Sequence, residues 1–221
     1  QGGDALAGAN SPTGSSGGYF FNSDNGSIYI GSRANSAITA SSSDIIIQAD
    51  QFSWNKGVLP IWPQIATTGI VTVQPYSASF SGIYNMYKGW NRNGQTMSGL
   101  TIGKAGNTAN INLSQDVTVN GPITVYGGTI NANADMVITT AADLKLIASE
   151  DIVASSGVDL TTQGGDILLT ANTDGVGGGG ILLSGVNVQS NGGNITLGGE
   201  NQTGSGFAEG SSLAVTGQRY R

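Results

Sequence analysis

Four aspartates, Asp143, Asp151, Asp159 and Asp166, recur at seven- or eight-residue steps, and such a series invites two kinds of chemistry. A column of carboxylates could hold Ca²⁺, a hard cation that wants several oxygen ligands. Calcium-binding β-rolls, however, carry a tandem Gly-Gly-x-Gly-x-Asp nonapeptide, and none stands here. Two carboxylates set across a cleft could instead hydrolyse a glycosidic bond. Any stack of turns brings carboxylates together by accident, and the chain has no His and only eight Lys and Arg to act as base or clamp. Fold analogy alone would support catalysis. The plainer account is that each Asp caps a turn before a strand and bonds nearby backbone N–H groups. The chain therefore reads as no enzyme, with no cofactor and no metal centre.

The aromatics Trp54, Trp62, Tyr76, Tyr84, Tyr87 and Trp90 are the candidates for contact with a ligand or partner. Trp and Tyr beside Asn and Gln would suit a sugar ring or a protein surface; the alternative is a satellite core under a loop. Gly177 to Gly180 lacks the Gly-Lys-Ser/Thr of a phosphate loop and reads as a turn. The Asn-x-Ser/Thr triplets at Asn25, Asn112, Asn194 and Asn201 are expected by chance in so Asn-rich a chain, with Asn stacking along turns. Thr139, Thr140, Thr161, Thr162, Thr170 and Thr196 are too irregular for an ice-binding face and suit strand surfaces.

The elements that must carry these residues are short strands. The chain has 221 residues, 36 of them Gly, with no Cys and 10% charged residues, against roughly a quarter in ordinary domains. With 38% hydrophobic residues, it is too apolar and too weakly charged for a disordered chain. From Leu100 onward, runs such as Val117-Thr118-Val119, Ile123-Thr124-Val125, Leu144-Lys145-Leu146 and Ile167-Leu168-Leu169 recur between Gly, Asn, Asp or Ser. Strands this short do not hold as isolated hairpins. They hold if every third run stacks on its equivalent, giving a parallel β-helix of about 20–22 residues per coil and roughly ten coils at ~4.8 Å each. Residues 1–50 read as looser coils, 51–97 as an aromatic-rich loop insertion, and 98–221 as regular coils. Residues 52–90 hold eight of the fifteen aromatics and three of the five prolines, so the stretch from Leu59 to Pro63 reads as a bulge.

Four stretches carry a resemblance to the repeat regions of filamentous-haemagglutinin-like bacterial surface adhesins of two-partner secretion. They run from Thr68 to Pro75, from Ser98 to Lys104 and on to Ile111, from Gly121 to Gly128, and from Asn191 to Gly199. The resemblance implies an all-β, right-handed parallel β-helix (β-solenoid) at the bacterial cell surface, a stalk segment serving adhesion or biofilm formation. The N-terminal secretion domain of such proteins is not recognisable here. A carbohydrate- or receptor-binding module acting through the aromatic insertion is the alternative, as is a self-assembling filament subunit. Expected partners are neighbouring coils or copies of the chain end to end, together with a glycan or a host or cell-surface receptor. Scattered basic residues and a net charge of −6 give no footprint for nucleic acid, and no apolar run approaches the ~20 residues needed for membrane insertion. Neither end reads as a cap, so both are expected to be covered.

Overall fold

The computed structural model describes residues 5–7, 19–30, 37–39, 42, 44–54, 64–86 and 96–199. Trp62, Tyr87, Trp90, Asn201 and the bulge from Leu59 to Pro63 lie outside them.

Every strand pairing is parallel, and the described strands form three faces. The longest sheet runs β1 (Ala5–Ala7), β2 (Tyr19–Ile30), β4 (Ile45–Trp54), β6 (Ile70–Gln74), β8 (Gly99–Ile102), β11 (Ile123–Gly127), β14 (Leu144–Ala148), β17 (Ile167–Thr170) and β20 (Ile195–Gly198). A second runs β7 (Tyr84–Met86), β9 (Ile111–Leu113), β12 (Ile130–Ala132), β15 (Ile152–Ala154) and β18 (Ile181–Leu183). The third contains β10 (Val117–Val119), β13 (Met136–Ile138), β16 (Asp159–Thr161) and β19 (Asn187–Gln189). β3 (Ala37–Thr39) and β5 (Gln64–Ala66) form a separate two-stranded sheet, with Ile65 in the common core. From β8 onward each sheet takes every third strand, so one coil is three strands. The fold is a β-solenoid.

Within each strand alternate residues turn inward because the side-chain period is two. In the long sheet Ile45, Val71, Leu100, Ile123, Leu144 and Ile167 lie in register, each at most 2% exposed. Beside them run Ile47, Val73, Ile102, Val125, Leu146 and Leu169, and the second and third sheets complete one continuous core. Each fully buried Ile or Leu contributes about 1.5–3 kcal/mol, which compensates for strands that, from β5 onward, are only three to five residues long.

Coil length is more variable than expected. The step is 19 residues from Asn112 to Asn131 but 29 from Asp151 to Gly180, against the expected 20–22. The strands keep register while loops absorb the difference, since lengthening a surface loop costs little. Glycine enters where coils touch. A Cβ on Gly121 would sit 1.8 Å from the Ser98 carbonyl oxygen, and one on Gly165 1.9 Å from that of Ala142. The aromatic-rich stretch also joins the stack, since β6 and β7 pair in register with β8 and β9.

Candidate functional site

The polar residues that the structure organises stand at the corners, immediately before strands. At the corner leading into the long sheet, Asp44 accepts the Ile70 N–H at 2.8 Å, Asp143 that of Asp166 at 3.1 Å, and Asp166 that of Asn194 at 2.7 Å. Before the second sheet, Asn110 accepts from Thr129 at 3.0 Å and Asp151 from Gly180 at 2.8 Å. Before the third, Asp116 accepts from Asp135 at 3.1 Å and Asp135 from Asp159 at 2.9 Å. In each case the side chain reaches forward one coil to a backbone N–H that the turn leaves without a strand partner.

Asp143, Asp151, Asp159 and Asp166 are thus not one column of carboxylates. Asp143, Asp151 and Asp159 open three different strands, β14, β15 and β16, and only Asp143 and Asp166 share a corner. The seven- or eight-residue step is the distance from corner to corner. Asp143, Asp151 and Asp166 precede strands, yet each holds the backbone of the next coil instead of capping its own turn, while Asp159 opens β16 and its own N–H is held by Asp135. Among the described residues, no group of three or more His, Cys, Asp or Glu is arranged to hold a metal ion. Lys145 pairs with Asp143 at 3.1 Å, and its hydrogen bond holds the Asp143 carboxyl below the usual carboxylate range, assisted by the Asp166 N–H and opposed by partial burial.

A second polar cluster sits where the strands of the long sheet leave it. The Asp50 carboxylate accepts the Ser77 N–H and hydroxyl, both at 2.7 Å. One coil on, Asn107 is 2% exposed. Its Oδ1 accepts from the Ser79 hydroxyl and the Phe80 N–H, and its Nδ2 donates to the Tyr126 carbonyl at 2.8 Å. Each buried polar atom meets a neighbouring coil, which is the condition for burying it cheaply. On the second sheet, Asn131 donates to Asn112 at 2.8 Å and Asn112 to Asn85 at 2.7 Å. The triplet at Asn112 therefore belongs to an amide ladder, on strands and not along turns.

The aromatic candidates divide. Tyr84 is 2% exposed in the core, its ring stacked on Phe80 at 5.3 Å between centroids. Tyr76 is 40% exposed, and its carbonyl accepts from Lys104 Nζ at 3.0 Å. The Trp54 backbone pairs with Ile30.

Sequence reasoning singled out Asp143, Asp151, Asp159 and Asp166 but passed over Asp44, Asn110, Asp116 and Asp135. The signal was present: each is an Asp or Asn directly before Ile, Val or Met.

These corner bonds, stacked strands and continuous core define a β-solenoid repeat protein. No protein-family model, no curated protein and no solved structure matches the chain. No helix among the described residues is long and apolar enough to cross a membrane.

Proposed function

We propose that this chain is a structural stalk segment of a large extracellular bacterial adhesin or filament, supporting cell adhesion or biofilm formation. The observation that carries the reading is the long sheet, whose parallel pairing continues from β1 to β20. A stack in which each coil contacts only its neighbours extends along one axis, the geometry of a spacer. The polar side chains that the structure organises bind coil to coil, which suits a part whose task is stiffness. The resemblance of the Gly121-to-Gly128 and Asn191-to-Gly199 stretches to adhesin repeats is what favours a cell-surface location.

The test is electron microscopy of native material bearing this chain, with intact mass of the denatured polypeptide. Long rods on the cell surface with a very large polypeptide are expected. Compact particles without rods, or a strictly intracellular location, would overturn the reading.

A further inference from the structure

Buried polar side chains in this stack are paired across coils, and one corner departs from that habit. Thr162, fully buried, reaches the Gly165 and Ser190 carbonyls. Asn107, in the loop after β8, spends both ends of its amide on neighbouring coils. At the exit of β17 the pairing fails. Thr170 is 4% exposed, yet its Oγ1 meets no hydrogen-bond partner. Its neighbours Leu169 and Ala171 face the core, so Thr170 turns outward, to the side on which the loop after β17 projects. Two residues on, the Asn172 Oδ1 is also buried and without a partner. Oxygens buried in this way call for a water or an ion.

The surrounding residues indicate which. The stretch Thr170-Ala171-Asn172-Thr173-Asp174-Gly175 places an oxygen-bearing side chain at positions one, three and five, and glycine at six. Calcium loops draw ligands from those three positions and from the carbonyl of position seven, with glycine at six for a sharp turn. Gly175 has the positive φ, +68°, that such a turn favours. Asp174 Oδ1 accepts the Val176 N–H at 3.0 Å, which leaves Oδ2 for a ligand. The backbone is anchored as well. The Asn172 and Thr173 N–H groups donate to the Glu150 and Ala148 carbonyls of the preceding coil, at 2.9 and 3.1 Å. The spacing and the orphaned oxygens are independent observations, and they fall on the same residues.

We propose that residues 170–176 form a calcium site. Its ligands are Thr170 Oγ1, Asn172 Oδ1, the Asp174 carboxylate and the Val176 carbonyl, with water completing the shell. An all-oxygen set suits a hard cation, and Ca²⁺ tolerates irregular geometry where Mg²⁺ demands an octahedron and sheds its waters reluctantly. Three of the four ligands are uncharged, so a search for clustered carboxylates passes over the site. Thr opens the loop where Asp is usual, and position twelve is Ile181, which supplies no bidentate carboxylate. A single carboxylate puts the affinity at the weak end of the range, about 10⁻⁴–10⁻³ M. The ion would close the loop that lengthens this coil to a 29-residue step. The site depends on this loop alone, and not on the stalk reading.

Isothermal titration calorimetry of the full chain, stripped with EDTA and dialysed, tests this with CaCl₂ as the probe. A single saturable site is expected, and MgCl₂ at the same concentrations does not compete for it. Asp174→Asn keeps the acceptor for the Val176 N–H but removes the charge, and it weakens binding at least about tenfold. Asp116→Asn, at a corner before the third sheet, leaves the affinity unchanged. Hydrogen exchange on the unaltered chain reads the site without a variant, with amides of residues 173–180 gaining protection in calcium. No binding up to about 10 mM CaCl₂, tenfold above the expected range, overturns the proposal and leaves a buried water as the partner of both oxygens. Binding that Asp174→Asn does not weaken, or calcium protection that spares residues 173–180, places the ion elsewhere and overturns it too.

Discussion

The coil formed by β11, β12 and β13 and the coil formed by β18, β19 and β20 are written in the same vocabulary of Ile, Val, Leu, Thr and Asn. Their environments differ. In the first, Ile123, Val125, Ile130, Ala132, Met136 and Ile138 are at most 3% exposed. In the second, the inward positions are half-open or exposed. The inward pattern selects which residues face the axis, but a coil is sealed only by a neighbour on each side. Stability in such a stack is a sum of coils and of the interfaces between them. A side chain's worth therefore depends on its place in the stack as much as on its type.

The largest effect expected from that contrast comes from placing one charge at equivalent positions. Leu146→Asp buries a carboxylate between two coils with nothing to pair it, at a cost above about 4 kcal/mol. Leu197→Asp, two strands further along the same inward column, stays within about 1 kcal/mol, because Leu197 is already 40% exposed. Urea unfolding followed by circular dichroism measures both. Equal costs would break the comparison, because β20 would then be sealed as well as β14.

Glycine gives the next largest difference. Gly165→Ala drives a methyl onto the Ala142 carbonyl 1.9 Å away, and backbone on a neighbouring coil cannot swing aside as a side chain can. We expect a loss of about 3 kcal/mol, at the upper end of overpacking costs. Gly106 has φ +85° but nothing within 4 Å, so Gly106→Ala costs about 1 kcal/mol, for the left-handed conformation alone. If the two variants melt together, close approach between coils is not what Gly165 serves.

The corner bonds come third. Asp135→Ala strips the acceptor from the Asp159 N–H at 2.9 Å, and the expected loss is about 1–2 kcal/mol. Asp135→Asn keeps an acceptor and recovers most of it. Asn194→Ala, at the last described corner, costs only a few tenths of a kcal/mol, as expected of a surface substitution. A full loss in the Asn variant would show that charge, and not the hydrogen bond, matters at this corner.

The same contrast explains what was legible in the sequence. Val117-Thr118-Val119 and Ile123-Thr124-Val125 lie in β10 and β11, because an apolar-polar-apolar triplet between turn residues has few other uses in a Gly-rich chain. Strand β12 escaped notice because its second inward residue is Ala132, too small to stand out after Ile130. Strand β7 was hidden because Tyr84, set among the contact candidates, is core. The corner aspartates were visible as Asp before an apolar residue, yet their partners were not. The donor to Asp166 is Asn194, 28 residues away, and only the register of the stack shows that they meet. Coil length was illegible for the same reason, since loops such as that between β17 and β18 change it without moving a strand.

The smallest effect tests whether charge contributes anything along a corner already held by hydrogen bonds. Asp143 lies below its usual range chiefly because Lys145 hydrogen-bonds it. A carboxyl lowered in the folded state adds stability that is fully present above its unfolded value, about pH 3.9. That stability is lost as pH falls through the lowered folded value. The pair is exposed, at 40% and 39% for its two side chains, so solvent screening holds the contribution below about 1 kcal/mol. Lys145→Met should therefore flatten the acid limb of the stability profile slightly and leave the plateau near neutral pH lower by the same small amount. In 1 M salt the parent should approach the variant, because the Debye length contracts to about 3 Å. An acid limb identical in both proteins would mean that the corner is held by the Asp166 N–H alone, as the corners of Asp116 and Asp135 are held without a lysine.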